Sequence, residues 1–126
     1  MLREHEIDIR VRYNETDPMG FLHHSHYLTY CEIGRTELLR AAGDTYRKME
    51  EQGRFVVVAK ADLRYRRPAR YDDVLRVRTT ITRISAAKIE HHYSITRAGE
   101  SIAEVDVTLA VIDRDGKVCR IPEWLQ

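Results

Sequence analysis

From His5 to Tyr13 the chain alternates strictly: Ile7, Ile9, Val11 and Tyr13 interleave with Glu6, Asp8, Arg10 and Arg12. A period of two places all four apolar side chains on one face of an extended chain, so this segment is predicted as a strand with one buried face. A turn-rich stretch follows, Asn14-Glu15-Thr16-Asp17-Pro18-Met19-Gly20. From Tyr27 to Ala42 the period lengthens. Tyr27, Cys31, Leu38 and Ala42 fall on one face of a helix with Gly34 between them, while Thr29, Glu32, Thr36 and Arg40 lie opposite. Gly34 costs such a helix about 1 kcal/mol relative to alanine. Close approach of the helix to whatever packs over it is a physical reason to keep a glycine there.

Gly43 suits a helix stop, and Asp44 suits the N-cap of a second, shorter helix ending near Gly53. Four alternating segments follow. Their inward sets are Phe55-Val57-Ala59-Ala61-Leu63-Tyr65, Leu75-Val77-Thr79-Ile81, Ile89-His91-Tyr93-Ile95 and Ala103-Val105-Val107-Leu109-Val111. Turn chemistry separates them at Arg67-Pro68-Ala69-Arg70, at Ala98-Gly99 and at Asp115-Gly116, the last a strong hairpin signal. The predicted order is β-α-α-β-β-β-β, an α+β domain of long antiparallel strands. The Tyr27–Ala42 helix is the one element long enough to cover an apolar sheet face. One helix over so long a sheet leaves strand edges, which pairing with a second copy would satisfy.

Composition narrows the class. The 126 residues fit one domain, 1–126, with none left for a second. A third of them are charged, yet the net charge is only +1, against the basic excess of a general nucleic-acid binder. No apolar run is long enough to span a bilayer, so no membrane insertion is expected, and the first residues lack the apolar core of a secretion signal. Cys31 and Cys119 stand far apart and read as reduced thiols in a cytoplasmic protein.

The least periodic stretch is also the most polar. Glu15 to Tyr27 hands the first strand to the main helix, and a helix start offers free N–H groups and a dipole that favours negative charge. A carboxylate held there can serve as nucleophile or general base on a carbonyl whose oxygen meets those N–H groups. Asp17 is a candidate for that carboxylate, although on pattern alone an Asp before Pro18 reads more readily as a turn residue. His23, His24 and His26 invite a metal reading completed by Glu15, Asp17 or Glu32. Neighbouring side chains point apart on regular structure, however, and hydrogen-bonding or capping roles are favoured, with no metal assigned. His91 and His92 face opposite sides of a strand. Arg64-Tyr65-Arg66-Arg67-Pro68-Ala69-Arg70-Tyr71 mixes arginine and tyrosine as RNA-binding surfaces do, but Asp72-Asp73 and the near-neutral total favour a charged strand end and turn. Lys88, Arg64 and Arg66 remain candidates for the phosphates of one nucleotide-like ligand.

Val11-Arg12-Tyr13-Asn14-Glu15-Thr16-Asp17-Pro18-Met19-Gly20, followed by His24, Tyr27, Glu32, Arg35 and Glu37, resembles the 4-hydroxybenzoyl-CoA thioesterase family. The branch it resembles most is that of the acyl-CoA thioesterases associated with the Tol-Pal system. The likeness continues through Tyr65–Asp73 and weakens toward the C-terminus. It implies a hotdog fold, a five-stranded antiparallel sheet wrapped around one long helix, in a homodimer or homotetramer that binds coenzyme A near the subunit interface. It implies Asp17 and His24 as catalytic residues. His23, Tyr27, Val57, Val58 and Lys88 are the expected substrate-binding residues. Coenzyme A or carrier-protein thioester would be the substrate, with no further cofactor. The position before His24 is usually aromatic in these relatives and is His23 here. Hydroxybenzoyl-specific members carry tyrosine at position 24, so His24 points toward aliphatic acyl groups. A non-catalytic acyl-CoA or carrier-protein binding module and an acyl dehydratase on the same scaffold are the competing expectations.

Overall fold

A computed structural model describes residues 2–126. Strand β1 (Glu4–Arg10) leads through a short 3-10 turn, Tyr13–Glu15, to helix α1 (His26–Ala41) and a short helix α2 (Tyr46–Glu51). Four long strands follow, β2 (Phe55–Tyr65), β3 (Val74–Ile84), β4 (Ile89–Arg97) and β5 (Glu100–Ile112), then a two-residue β6 (Val118–Cys119) and a 3-10 turn at Glu123–Leu125. All pairings are antiparallel, in the order β1-β3-β4-β5-β2, with β6 extending the β4 side of β5.

The inward alternations of β3, β4 and β5 are buried as their sequence pattern predicts: Leu75, Val77, Thr79 and Ile81; Ile89, His91, Tyr93 and Ile95; Ala103, Val105, Val107, Leu109 and Val111. Helix α1 packs on this face through Tyr27, Tyr30, Cys31, Gly34, Arg35, Leu38 and Leu39. Gly34 marks the closest approach. A Cβ there would lie 2.7 Å from Thr79 Oγ1 and 3.1 Å from a Val77 methyl, too near for any larger residue without displacement. The opposite sheet face carries a ladder of exposed ion pairs, among them Arg76–Asp8 at 3.2 Å and Arg78–Glu4.

Four expectations need correction. Tyr13 is not the last inward residue of β1. The strand ends at Arg10, and Tyr13 lies 78% exposed in the 3-10 turn. The main helix begins and ends one residue earlier than the apolar spacing implies. The cap of α2 is Thr45, whose hydroxyl accepts from Lys48 N–H at 3.2 Å, while Asp44 accepts from the Thr45 N–H. Finally, β2 does not keep one alternation throughout. A bulge between Val58 and Lys60 shifts the register, so Val56, not Val57, packs against the core on the near side. A bulge adds one unpaired residue and swaps the faces beyond it.

Candidate active site

The segment from Thr16 to Leu22 folds into a tight antiparallel loop. Thr16 and Leu22 form a bridge, Asp17 N–H donates to Phe21 C=O at 2.8 Å, and Gly20 N–H donates to Asp17 C=O at 2.9 Å. Gly20 takes a φ of +84°, a left-handed conformation that a side chain would strain. The loop wraps the Asp17 carboxylate in its own backbone. Oδ1 accepts from Met19 N–H at 2.9 Å and from Phe21 N–H at 3.1 Å. Oδ2 takes no hydrogen bond from the described residues. One oxygen is thus anchored and the other is free of protein partners among the described residues.

Glu15, two residues earlier, ties this loop to the helix. It is buried, and its Oε1 accepts from Arg12 N–H at 2.8 Å and from Tyr30 OH at 2.6 Å, while Arg12 Nη1 reaches Oε2 at 3.2 Å. Burial alone would raise its pKa. The hydrogen bonds from Tyr30 and Arg12, with the Arg12 charge, outweigh burial and hold it below the usual carboxylate value. Glu15 C=O also accepts His23 N–H at 2.9 Å, so the approach to α1 is pinned from both ends.

The start of α1 is open. Ser25 stands at the cap position, but its side chain makes no bond to the helix N–H groups and sits 2.8 Å from His23 Nδ1 instead. The backbone N–H of His24 donates to nothing among the described residues. The His24 ring is exposed and lies against the ring of His23, with centroids 4.2 Å apart. Tyr27 is buried and meets Tyr65 of β2 edge-on at 5.2 Å. His23 is thus tied to the base of the Asp17 loop through Glu15 C=O, and His24 stacks on His23.

Val57, Val58 and Lys88 do not share it within one chain. Val58 pairs with Leu109, and Leu109 with Ile89, next to Lys88. That row lies at the end of the sheet opposite Tyr65 and Tyr27. Seven residues of strand separate Val58 from Tyr65, roughly 20 Å. Val58 and Lys88 are exposed. Arg66 pairs with Glu104 at 3.2 Å and Arg64 lies 3.9 Å from Asp62, so both have carboxylate neighbours in their own chain.

Glu15 as a buried clasp, Tyr30 as its donor and Tyr65 as the partner of Tyr27 were not singled out for the site by sequence reasoning. The alternation did place Tyr65 inward, but nothing in a periodicity joins residues 15 and 30 or 27 and 65. Among the described residues no group of three His, Cys, Asp or Glu side chains is arranged to hold a metal ion.

A second polar cluster lies farther along α1, between helix and sheet. Arg35 sits against the hydroxyls of Tyr93 and Tyr46, and Tyr93 OH lies 2.9 Å from His91 Nδ1. Burial, helped by the nearby Arg35 charge, pushes the pKa of His91 down to about 4. Burial likewise raises the Cys31 thiol.

Residues 11–126 match the thioesterase-like superfamily. The acyl-CoA thioesterase YbgC of Haemophilus influenzae is 32% identical over 106 residues, covering 83% of this chain and 78% of its own. The DHNA-CoA thioesterase of Staphylococcus aureus superposes with a TM-score of 0.92 at 28% identity, covering 97% of this chain and 86% of its own. A hypothetical protein of Thermus thermophilus superposes at 0.89 with 36% identity, covering 95% and 92%. The architecture, a long helix held by an antiparallel sheet, is the hotdog fold.

Proposed function

The chain belongs to the thioesterase-like superfamily, and from that premise we propose that it is an acyl-CoA thioesterase with Asp17 as its reacting carboxylate. The observation that supports the proposal is a half-anchored carboxylate on the segment that leads to a helix start with an unused N–H. Asp17 Oδ1 is held by two backbone donors while Oδ2 is free, and the His24 N–H beside the start of α1 has no acceptor.

Thioester hydrolysis needs a nucleophile and a home for the oxyanion. It needs little help with the leaving group, since a thiol with a pKa near about 8.5 departs readily as thiolate. Asp17 Oδ2 either attacks the carbonyl carbon, or takes a proton from a water that does. In the first route the C–S bond breaks to an acyl-aspartyl anhydride that water then opens. In the second, water oxygen becomes part of the carboxylic acid directly. In both, the negative oxygen of the tetrahedral intermediate accepts the His24 N–H, and loss of such a donor costs on the order of 100- to 1000-fold in rate. The His24 ring orients water or substrate. His23 and Tyr27 line the acyl entrance.

The complete site takes two copies of the chain. Among the described residues strand β2 is an edge, bonded only to β5, and its residues from Val58 to Ala61 are exposed. Antiparallel pairing of two such edges about a two-fold axis near the strand's middle would set Val57 and Val58 of the partner subunit beside Tyr65, and hence beside Tyr27. It would also bring Lys88 of the partner subunit to the same end, where it can meet a coenzyme A phosphate. This reading joins the two groups of substrate-binding residues that one chain keeps roughly 20 Å apart, in a homodimer or a homotetramer built from it. The likeness to the YbgC thioesterases and the presence of His24 favour the Tol-Pal-associated branch and an aliphatic acyl group, carried by coenzyme A or by a carrier protein. No helix of the described residues is long and apolar enough to cross a membrane. The free thiols Cys31 and Cys119 suit the reducing cytoplasm.

The test is steady-state thiol release from a panel of acyl-CoAs, short to long and aliphatic to aromatic, with the oligomer measured by sedimentation. Turnover by a dimer or tetramer supports the proposal, and the preferred chain names the substrate. Binding without turnover on coenzyme A and carrier-protein thioesters alike would make this a binding module.

A further inference from the structure

The loop that presents Asp17 does not stand alone. The connection from β2 to β3, residues 68–73, runs alongside it and touches it on both sides. On the entry side Val11 N–H donates to Asp73 C=O at 2.8 Å, and Asp72 N–H donates to Val11 C=O at 3.0 Å. On the exit side Leu22 N–H donates to Ala69 C=O at 2.7 Å, and Phe21 bridges Arg70. The Arg70 guanidinium lies over the Phe21 ring, 4.7 Å from its centroid. Phe21 is one of the two residues whose N–H groups hold Asp17 Oδ1, the other being Met19. Whatever fixes residues 68–73 therefore fixes the reacting carboxylate.

One side chain closes that connection. Asp73 Oδ2 accepts Arg70 N–H at 2.8 Å while Asp73 N–H donates to Arg70 C=O at 3.1 Å, a reciprocal clasp across a turn in which Asp72 takes a left-handed φ of 73°. The same oxygen accepts Arg97 Nη1 at 2.8 Å, and Arg97 also reaches Pro68 C=O at 3.3 Å. Arg97 is the last residue of β4, and its other nitrogen meets Glu100 at 2.9 Å. Hydrogen bonds from Arg70 and Arg97 keep the Asp73 carboxyl below its usual pKa despite its partial burial, so the clasp is ionised at neutral pH.

We propose that Asp73 and Arg97 are positioning residues that couple the sheet to the Asp17 loop through the backbone of Arg70 and Phe21. The chain of contacts runs Arg97, Asp73, Arg70 N–H, Phe21, Asp17. The inference rests on Asp17 being the reacting group. Loosening the clasp lets Asp17 drift from the line of attack without removing any group that binds substrate, so kcat falls and KM stays. A misplacement of about 1 Å costs on the order of 100-fold.

The experiment compares Asp73→Ala, Asp73→Asn, Arg97→Lys and Glu100→Gln with wild type and Asp17→Asn, on the acyl-CoA hydrolysed best, recording kcat, KM and thermal midpoint. Asp73→Ala is expected to lower kcat by about tenfold to 100-fold with KM nearly unchanged. Asp73→Asn keeps an acceptor for Arg70 N–H and is expected to recover most of the rate. Glu100→Gln loosens only the outer contact of Arg97 and leaves kcat unchanged. If Asp73→Ala does not fold, Arg97→Lys carries the test, with a smaller fall in kcat at constant KM. Wild-type kcat in a folded Asp73→Ala or Arg97→Lys, or a loss that appears in KM alone, overturns the inference. Those outcomes alongside a dead Asp17→Asn would leave the thioesterase reading standing. A fully active Asp17→Asn would instead remove Asp17 as the reacting group, the reading on which the inference rests.

Discussion

Helix α1 carries two polar clusters, and they differ in what their polar atoms still have to give. In the middle of the helix, Arg35, His91, Tyr93 and Tyr46 are packed between helix and sheet, satisfy one another, and include strongly displaced pKa values. At its start, Asp17 and His24 are partly or fully exposed, and each keeps an unused group, Oδ2 on one and a backbone N–H on the other. A displaced pKa is a pointer to function only in a cleft where a ligand can reach it. Displaced groups occur in both places, with Glu15 and Tyr30 near the helix start, so it is the unused groups and not the shifts that distinguish the proposed site.

The contrast breaks down if substitutions in the buried cluster alter chemistry, or if those at the helix start alter stability. The largest stability effect is expected at Arg35. Arg35→Ala removes a buried side chain and the charge that lies against the Tyr93 and Tyr46 hydroxyls, costing about 3 kcal/mol, read by urea denaturation. His91 should give the next effect, visible as pH dependence. Its folded pKa of about 4 lies below the unfolded value near 6.5. The unfolded chain therefore binds a proton that the folded one refuses. The stability from neutral His91 is full above pH 6.5 and is lost as pH falls toward 4, up to about 3 kcal/mol. His91→Gln should flatten that slope in denaturation curves taken between pH 4 and 7, and an unchanged slope would remove His91 as its source.

Gly34→Ala sharpens the comparison in the middle of the helix. Helix propensity favours alanine by about 1 kcal/mol, but the new Cβ would meet Thr79 Oγ1 at 2.7 Å. A net loss of about 1–2 kcal/mol is expected from overpacking, and pairing it with Thr79→Ala should return much of it. His24→Ala is the counterpart at the helix start. It should lower kcat on the order of tenfold, equivalent to about 1.4 kcal/mol, with the melting temperature unmoved. Smallest of all, Arg76→Ala on the exposed ladder should change stability by less than about 0.5 kcal/mol.

The sheet was legible because three of its strands bury one face and keep a period of two, from Leu75 to Ile81, Ile89 to Ile95 and Ala103 to Val111. Legibility failed where the backbone departs from that period. The bulge near Ala59 exchanges the roles of Val56 and Val57, and the turn at Tyr13 carries an apolar-looking position into solvent. At the proposed site, the handover from strand to helix singled out Asp17, whose carboxylate the loop backbone holds by one oxygen. The clasp of Glu15 on Tyr30 and that of Asp73 on Arg97 join residues 15 and 24 positions apart, through contacts that exist only once the sheet has closed on the helix. The separation of Val58 and Lys88 from Asp17 is a matter of strand register, which no local pattern encodes.

The central claim is that Asp17 performs the chemistry and does not merely shape a turn. The most direct measurement is Asp17→Asn, assayed for both turnover and binding of the acyl-CoA that the wild type hydrolyses best. Asparagine keeps an oxygen for the Met19 and Phe21 N–H groups, so the loop is retained while the anionic oxygen is lost. The account predicts a fall in kcat of about 1000-fold or more with Kd nearly unchanged. Turnover within a few-fold of wild type, or a loss explained entirely by failure to bind, would contradict it.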